Sequence, residues 1–221
     1  MYTDYMNYYS QAGQDLFVLD MLNNKRNGYF LEFGAYHSKA CSNTFLLESE
    51  FNWSGLSFDV QPEYVEGYNQ NRKSLCLLGD AQTGFNYSEL FLAHNVPKQV
   101  DYLQLDTDPS EVTLNILKAL PLKEYRFSVI TFEHDIFRGK ENGNDSEKVK
   151  NEQIEILQSF GYKLVVENAK IKGGGEFEDW WVDPNVVDVP KEYHYTPSEM
   201  SKFYQIINWG LPPDVDNIKI V

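Results

Sequence analysis

"GYFLEFGAYHS", residues 28–38, is the stretch on which the fold of this chain turns. Its apolar run is long enough for a buried strand, carries one carboxylate, Glu32, and breaks on one glycine, Gly34. A strand that feeds a tight turn beside a ligand has this form. Dinucleotide sites add a second and a third glycine, because the backbone must come close to a pyrophosphate at a helix N-terminus. The segment F-G-A-Y-H-S lacks them, and no G-x-x-x-x-G-K-[ST] phosphate loop occurs in the sequence. The implied ligand accepts an acidic strand end and a single glycine, and has no need of a phosphate cradle.

Outward from this stretch, apolar runs alternate with helical spacing. Residues 15–22 read as a helix before the first strand, and 42–50 as a helix after it. Further strands are predicted over 55–60, 74–80, 100–106, 126–135 and 162–168, separated by helical patterns over 62–71, 87–94, 108–120 and 144–161. Pro62 suits a first helical position. Asp108-Pro109-Ser110-Glu111 reads as a capping box with Asp108 as the cap. Three glycines, Gly173 to Gly175, turn the chain into a seventh strand and an antiparallel hairpin. Strictly alternating strands and helices give a mostly parallel sheet with helices on both faces, and the nearly continuous apolar strands agree, since such strands are covered on both sides. The expectation is an α/β, Rossmann-like, seven-stranded sheet, one domain over 1–221 with its core at about 10–187 and a C-terminal extension over 188–221.

Composition narrows the partners. The chain has 33 acidic and 19 basic residues, a net charge of −14. Nucleic-acid binders draw most of their affinity from basic contacts to phosphates, so DNA and RNA are not expected as partners, and neither is an anionic membrane surface. Residues 1–15 lack the basic and apolar regions of a signal peptide, and no apolar run is long enough to span a bilayer. Cys41 and Cys76 sit in no metal or redox spacing and are read as reduced thiols of a cytoplasmic protein.

In open sheets of this type ligands bind beyond the carboxyl ends of the strands. Those ends are acidic: Glu32 with Gly34, Asp59, Asp80, Asp106, and the triplet Glu133-His134-Asp135. S-adenosylmethionine matches them, with an ammonium, a sulfonium, two ribose hydroxyls, an adenine amine and no phosphate. Asp59 would accept from the ribose and Asp80 would lie beside the adenine. Each also has a plain structural reading, since Asp after a strand commonly closes a turn or caps a helix.

At these residues the chain resembles the FkbM-type methyltransferases. The resemblance rests on "YSQAGQD", "GYFLEFGA", "SNTFLLE", "NWSGLSFDVQPEY", "VDYLQLDTDPSE" and "ITFEHD", in the family's order over roughly residues 9–135. It implies S-adenosylmethionine-dependent O-methylation, often of sugars, on a Rossmann-like sheet. It places Gln14, Glu32, Gly34, Asp59, Asp80 and Asp106 on the cofactor side, with Ala35, Val60 and Ala81 as their neighbours. The chain departs from the family pattern after strand four, where Asp106-Thr107-Asp108-Pro109 replaces a D-V-E-G type sequence, and after strand two, where Asp59-Val60 replaces an acidic–proline pair.

A hydroxyl acceptor must lose a proton as it takes the methyl group. His134 is the favoured general base because imidazole titrates near neutrality, with Asp106 and Glu133 beside it. The alternative is a divalent metal held by Asp106, Glu133 and Asp135. His37 is a weaker pocket candidate, and His94 and His194 are read as surface residues. Trp180, Trp181, Tyr5, Tyr8 and Tyr9 could stack on a sugar ring but are expected mainly to pack, and 138–145 reads as a mobile loop beside the site. Two other readings compete: a non-catalytic ligand-binding or assembly subunit on the same fold, and a different α/β enzyme that modifies sugars.

Overall fold

In the computed structural model, which describes residues 8–141, 144–170 and 175–189, the alternation expected from the sequence is present from end to end. Helix α1 (Gln14–Met21) precedes β1 (Tyr29–Phe33); α2 (Phe45–Phe51), β2 (Ser54–Asp59), α3 (Pro62–Asn71), β3 (Leu75–Leu78) and α4 (Tyr87–Ala93) follow. Next come β4 (Gln99–Leu105), α5 (Ser110–Ala119) and β5 (Arg126–Glu133). A 3₁₀ turn (Ile136–Arg138) and a two-stranded ribbon, β6 (Lys140–Glu141) and β7 (Asn144–Asp145), lead into α6 (Ser146–Ser159), β8 (Lys163–Lys170) and β9 (Glu176–Val182).

The main sheet has seven strands in the order β3-β2-β1-β4-β5-β9-β8. β3 through β5 are parallel, whereas β9 runs antiparallel to both β5 and β8, so the C-terminal hairpin inserts its second strand against β5. The strand order reverses between β1 and β4, and the crevice beyond their carboxyl ends is where ligands bind in such sheets.

Strand period explains the layers, because successive side chains leave a strand on opposite faces. Leu31, Phe33, Leu103, Leu105, Ile130 and Phe132 join one core, which α4, α5 and α6 cover with Phe91, Ile116, Leu117 and Leu157. Phe30, Tyr102, Val129 and Trp180 join the other, under Phe17 and Val18 of α1 and Leu47 of α2. Trp180 and Trp181 are adjacent in β9 and so go to opposite cores, both fully buried. They pack and present no ring to a ligand; Tyr8 and Tyr9 likewise rest on the second core, and Tyr5 lies outside the described residues. Both cysteines are free thiols. No helix among the described residues is long and apolar enough to cross a membrane.

Three local expectations need correction. Asp108 does not cap α5: Pro109 occupies the cap position, and the Asp108 side chain turns outward to meet Arg138 at 2.9 Å. Residues 138–145 are a 3₁₀ turn and a short ribbon, with 142 and 143 outside the described residues. Helix α6 starts at a side-chain cap, Asp145 accepting from the Lys148 amide, so the acidic ribbon end doubles as a helix start. Most of the Gly173–Gly175 turn and all of 190–221, including His194, also lie outside the described residues.

Candidate functional site

A cavity of about 690 Å³ opens at the carboxyl edge of β1, β2, β4 and β5, within the size range of small-molecule and cofactor sites. Its wall begins at the turn after β1. Gly34 adopts φ +86°, and a Cβ built there would lie 1.7 Å from the Asp106 carbonyl oxygen. The Gly34 amide donates to the Phe58 carbonyl and the Asp106 amide to the Phe33 carbonyl, so three strand ends converge on a residue with no side chain. Glycine is required there both by its conformation and by the space.

The acids along this edge differ in what already holds them. Asp59 accepts the Tyr36 amide on one oxygen (2.9 Å) and the Gln61 amide on the other (2.8 Å). Asp80 accepts the Gln82 amide and the Thr83 hydroxyl. Both are thus turn residues, as the plainer reading has it, and both line the cavity. Each carboxylate oxygen has a second lone pair, so the turn role leaves acceptor capacity facing the cavity. Val60, 61% exposed, and the Tyr36–Tyr64 ring pair, 4.7 Å between centroids, add an apolar lip. Ala35 and Ala81 line the wall and are buried.

Glu32 lines the cavity from a buried position, accepting from Thr44 (2.9 Å) and Ser57 (2.6 Å). Burial pushes its carboxyl above the ordinary range, against the pull of Arg72 and these hydroxyls. Arg72 in turn pairs with Glu48 at 2.8 Å and binds the Ser38 carbonyl, Ser42 and Thr44, which ties the 38–44 loop down behind the cavity. His37 stabilises the same loop, its Nδ1 accepting the Lys39 and Ala40 amides.

The floor is a pair of carboxyl groups. The register Leu105↔Phe132 between β4 and β5 sets Asp106 beside Glu133; Glu133 is buried, Asp106 is partly buried, and both line the cavity. Each carboxylate disfavours the anion of its neighbour, so the pair holds a proton more readily than a lone carboxyl group does. Gln104 and Asn43 stand beside Asp106 and favour its anion. Burial and the neighbouring Asp106 charge hold Glu133 well above the usual carboxylate range. Both groups are pushed up, Glu133 the further, so Glu133 is the member that favours the protonated form.

Other expected site residues are elsewhere. His134 is not on the cavity: fully buried, it accepts the Ile136 amide on Nδ1 (3.1 Å), and its Nε2 lies 3.3 Å from Asp179 on β9. Insertion of β9 against β5 puts it there, and enclosed in this way it cannot reach an acceptor in the cavity; it orders the turn that carries Arg138. Gln14 is also a layer behind, with its amide on Glu178 (3.0 Å) and its oxygen on the Ala12 amide. Gln11, on the loop before α1, lines the cavity in its place. The signal for this was available, because Gln14 shares a helical face with the buried Phe17 and Val18. Asp135 turns toward Arg138, 3.1 Å away, and among the described residues no three His, Cys, Asp or Glu side chains are arranged to hold a metal ion. The metal set Asp106–Glu133–Asp135 is therefore not assembled.

No family model matches the sequence, and no curated protein matches it. Solved structures do match the fold. The cofactor-bound Rv0187 protein of MTB is 15% identical, with 81% of this chain and 82% of that one aligned at a TM-score of 0.54. The O-methyltransferase of Bacillus cereus, solved with S-adenosylhomocysteine (SAH), is 13% identical over 80% of this chain and 83% of its own, TM-score 0.51. A candidate rRNA methylase of Clostridium thermocellum is 12% identical over 80% and 97%, TM-score 0.50. The chain therefore has the Rossmann-like methyltransferase fold.

Proposed function

We propose that the cavity binds S-adenosylmethionine and that the chain transfers its methyl group to a hydroxyl of a sugar or another small molecule. The observation that carries this reading is the set of groups at the strand ends: carboxylates with spare lone pairs beside the Gly34 turn, and no phosphate cradle. The residues fit the cofactor. The Gly34 turn leaves room for its methionine part, Asp59 has acceptor capacity for ribose hydroxyls, and Val60 with Tyr36 and Tyr64 offers apolar surface to a purine. The cofactor supplies an electrophilic methyl on a cationic sulfur; the protein supplies alignment, which by itself can contribute roughly 7–11 kcal/mol. The fold match to an SAH-bound O-methyltransferase supports the same reading.

The acceptor is proposed to be uncharged. The acceptor half of the cavity is lined by Asp106, Asp108 and Glu133, and its cation, Arg138, is engaged by Asp108 and Asp135. With a net charge of −14 as well, a phosphate-rich acceptor such as rRNA would be repelled. The sugar acceptor rests on the resemblance to FkbM-type enzymes, and the proposed setting is the cytoplasm.

Calorimetric titration with S-adenosylmethionine tests the reading, and turnover on a panel of glycosides separates an enzyme from a binding module on the same fold. Asp59→Ala is expected to weaken cofactor binding by about 1.5–3 kcal/mol, the range for a hydrogen bond to a charged acceptor. Unchanged affinity, in a variant that melts like wild type, would remove Asp59 from the site. Tight NAD binding with no response to S-adenosylmethionine would overturn the class.

A further inference from the structure

We infer that the Asp106–Glu133 pair is a base that stays discharged by its own proton until the cationic cofactor arrives, so that binding of the methyl donor switches the base on. This rests on the function proposed above. The geometry begins with the register: Gly34 and Asp106 follow the paired residues Phe33 and Leu105, and their backbones are in contact. A donor whose methionine part passes the Gly34 turn brings its positive sulfur alongside Asp106. Both carboxyl groups line the cavity, and Gln104 and Asn43 stand beside Asp106.

The charged groups around the pair all bear on its proton. Glu133 faces Asp106 on β4, Asp135 on its own turn and Glu178 on β9, and Arg138 faces it from the 3₁₀ turn. Asp106 faces Asp108 and Cys41. This is a net acidic surrounding, and it favours the protonated form of the pair. A fixed positive charge beside it reverses the balance: in a medium of low effective dielectric, one charge at contact distance is worth several kcal/mol. Glu133 gives its proton to solvent, and Asp106 is left as a free carboxylate. During transfer Asp106 takes the acceptor hydroxyl's proton as the oxygen–carbon bond forms and the carbon–sulfur bond breaks with its electron pair going to sulfur. The arrangement keeps two adjacent carboxylates from ionising together before the cofactor's charge is there to compensate them.

Proton release can be read without turnover. Calorimetry of the full chain near neutral pH, in two buffers of different ionisation heat, counts protons exchanged on binding. S-adenosylmethionine is expected to release up to about one proton, and SAH, which lacks the positive sulfur, far fewer. Glu133→Gln, which mimics the protonated group and so preserves packing, is expected to bind the donor with no release. Glu178, pushed up to about 8, is the competing source; Glu178→Gln should leave the release intact. Equal release with both ligands, release that survives in Glu133→Gln, or release lost in Glu178→Gln overturns the inference while leaving the cofactor assignment standing. Failure of either ligand to bind overturns the functional reading itself, and this inference with it.

Discussion

Replacing Gly34 with alanine is expected to abolish cofactor binding and to destabilise the fold by about 3–5 kcal/mol, among the largest effects a single methyl group can have. Two independent costs add. The residue has a positive φ of 86°, which a side chain disfavours by about 1–2 kcal/mol. The new Cβ would also stand 1.7 Å from the Asp106 carbonyl oxygen, and that atom belongs to a strand end and has no rotamer to escape into. Relief requires β1 and β4 to part at their carboxyl ends, which breaks the Asp106–Phe33 hydrogen bond and moves Asp106 away from Glu133. Chemical denaturation and calorimetry check both halves. An unshifted midpoint with normal binding would mean that the close approach does not exist in solution.

Arg72→Met is expected to cost about 3–5 kcal/mol, the range for stranding one member of a buried ion pair. The guanidinium is buried against Glu48, with Tyr68 4.6 Å beneath it, and Glu48 also accepts the Lys73 and Ser74 amides. Burial alone would raise the Glu48 carboxyl; Arg72 and the hydrogen bonds outweigh it and hold the group below its ordinary range. A lowered native pKa means that the group stabilises the fold above its unfolded pKa and that this is lost as pH falls through the native value. Without Arg72 the two buried carboxylates, Glu48 and Glu32, both favour protonation, so the variant's deficit should shrink on mild acidification. Denaturation midpoints at neutral and mildly acidic pH, together with partial rescue by Glu48→Gln, test this. A deficit unchanged by pH would point to lost packing in place of lost charge. Because the same network anchors the loop that presents Ser42 and Asn43 to the cavity, cofactor affinity should fall as well.

Arg72 has no mark in the sequence that separates it from a surface residue at the end of an amphipathic helix. Its partners lie in another helix and another loop, and only their convergence shows that the charge is buried. The same holds for the acids. Glu32, Asp59, Asp80, Asp106 and Glu133 were legible as strand-end groups because each follows an apolar run, and all five line the cavity. His134 follows the same run as Glu133, yet it faces Asp179. A one-residue step along a strand reverses the face, and no local pattern says which face meets the cavity.

The order and type of the elements belong to the sequence by itself. Helical spacing, apolar runs and the glycine and proline stops are properties of neighbours a few residues apart, and they dictate alternating strands and helices, a doubly covered parallel sheet and a ligand edge rich in carboxylates. The identity of the chemical pair on that edge belongs to the tertiary structure. Asp106 meets Glu133 because β4 and β5 pair in one particular register. Gln14 is drawn off the cavity by Glu178, 164 residues further along the chain, and His134 is enclosed because β9 enters the sheet antiparallel between β5 and β8. Contacts of that span are set by how whole layers pack and by which buried polar groups find partners, because burying a polar group without one costs free energy.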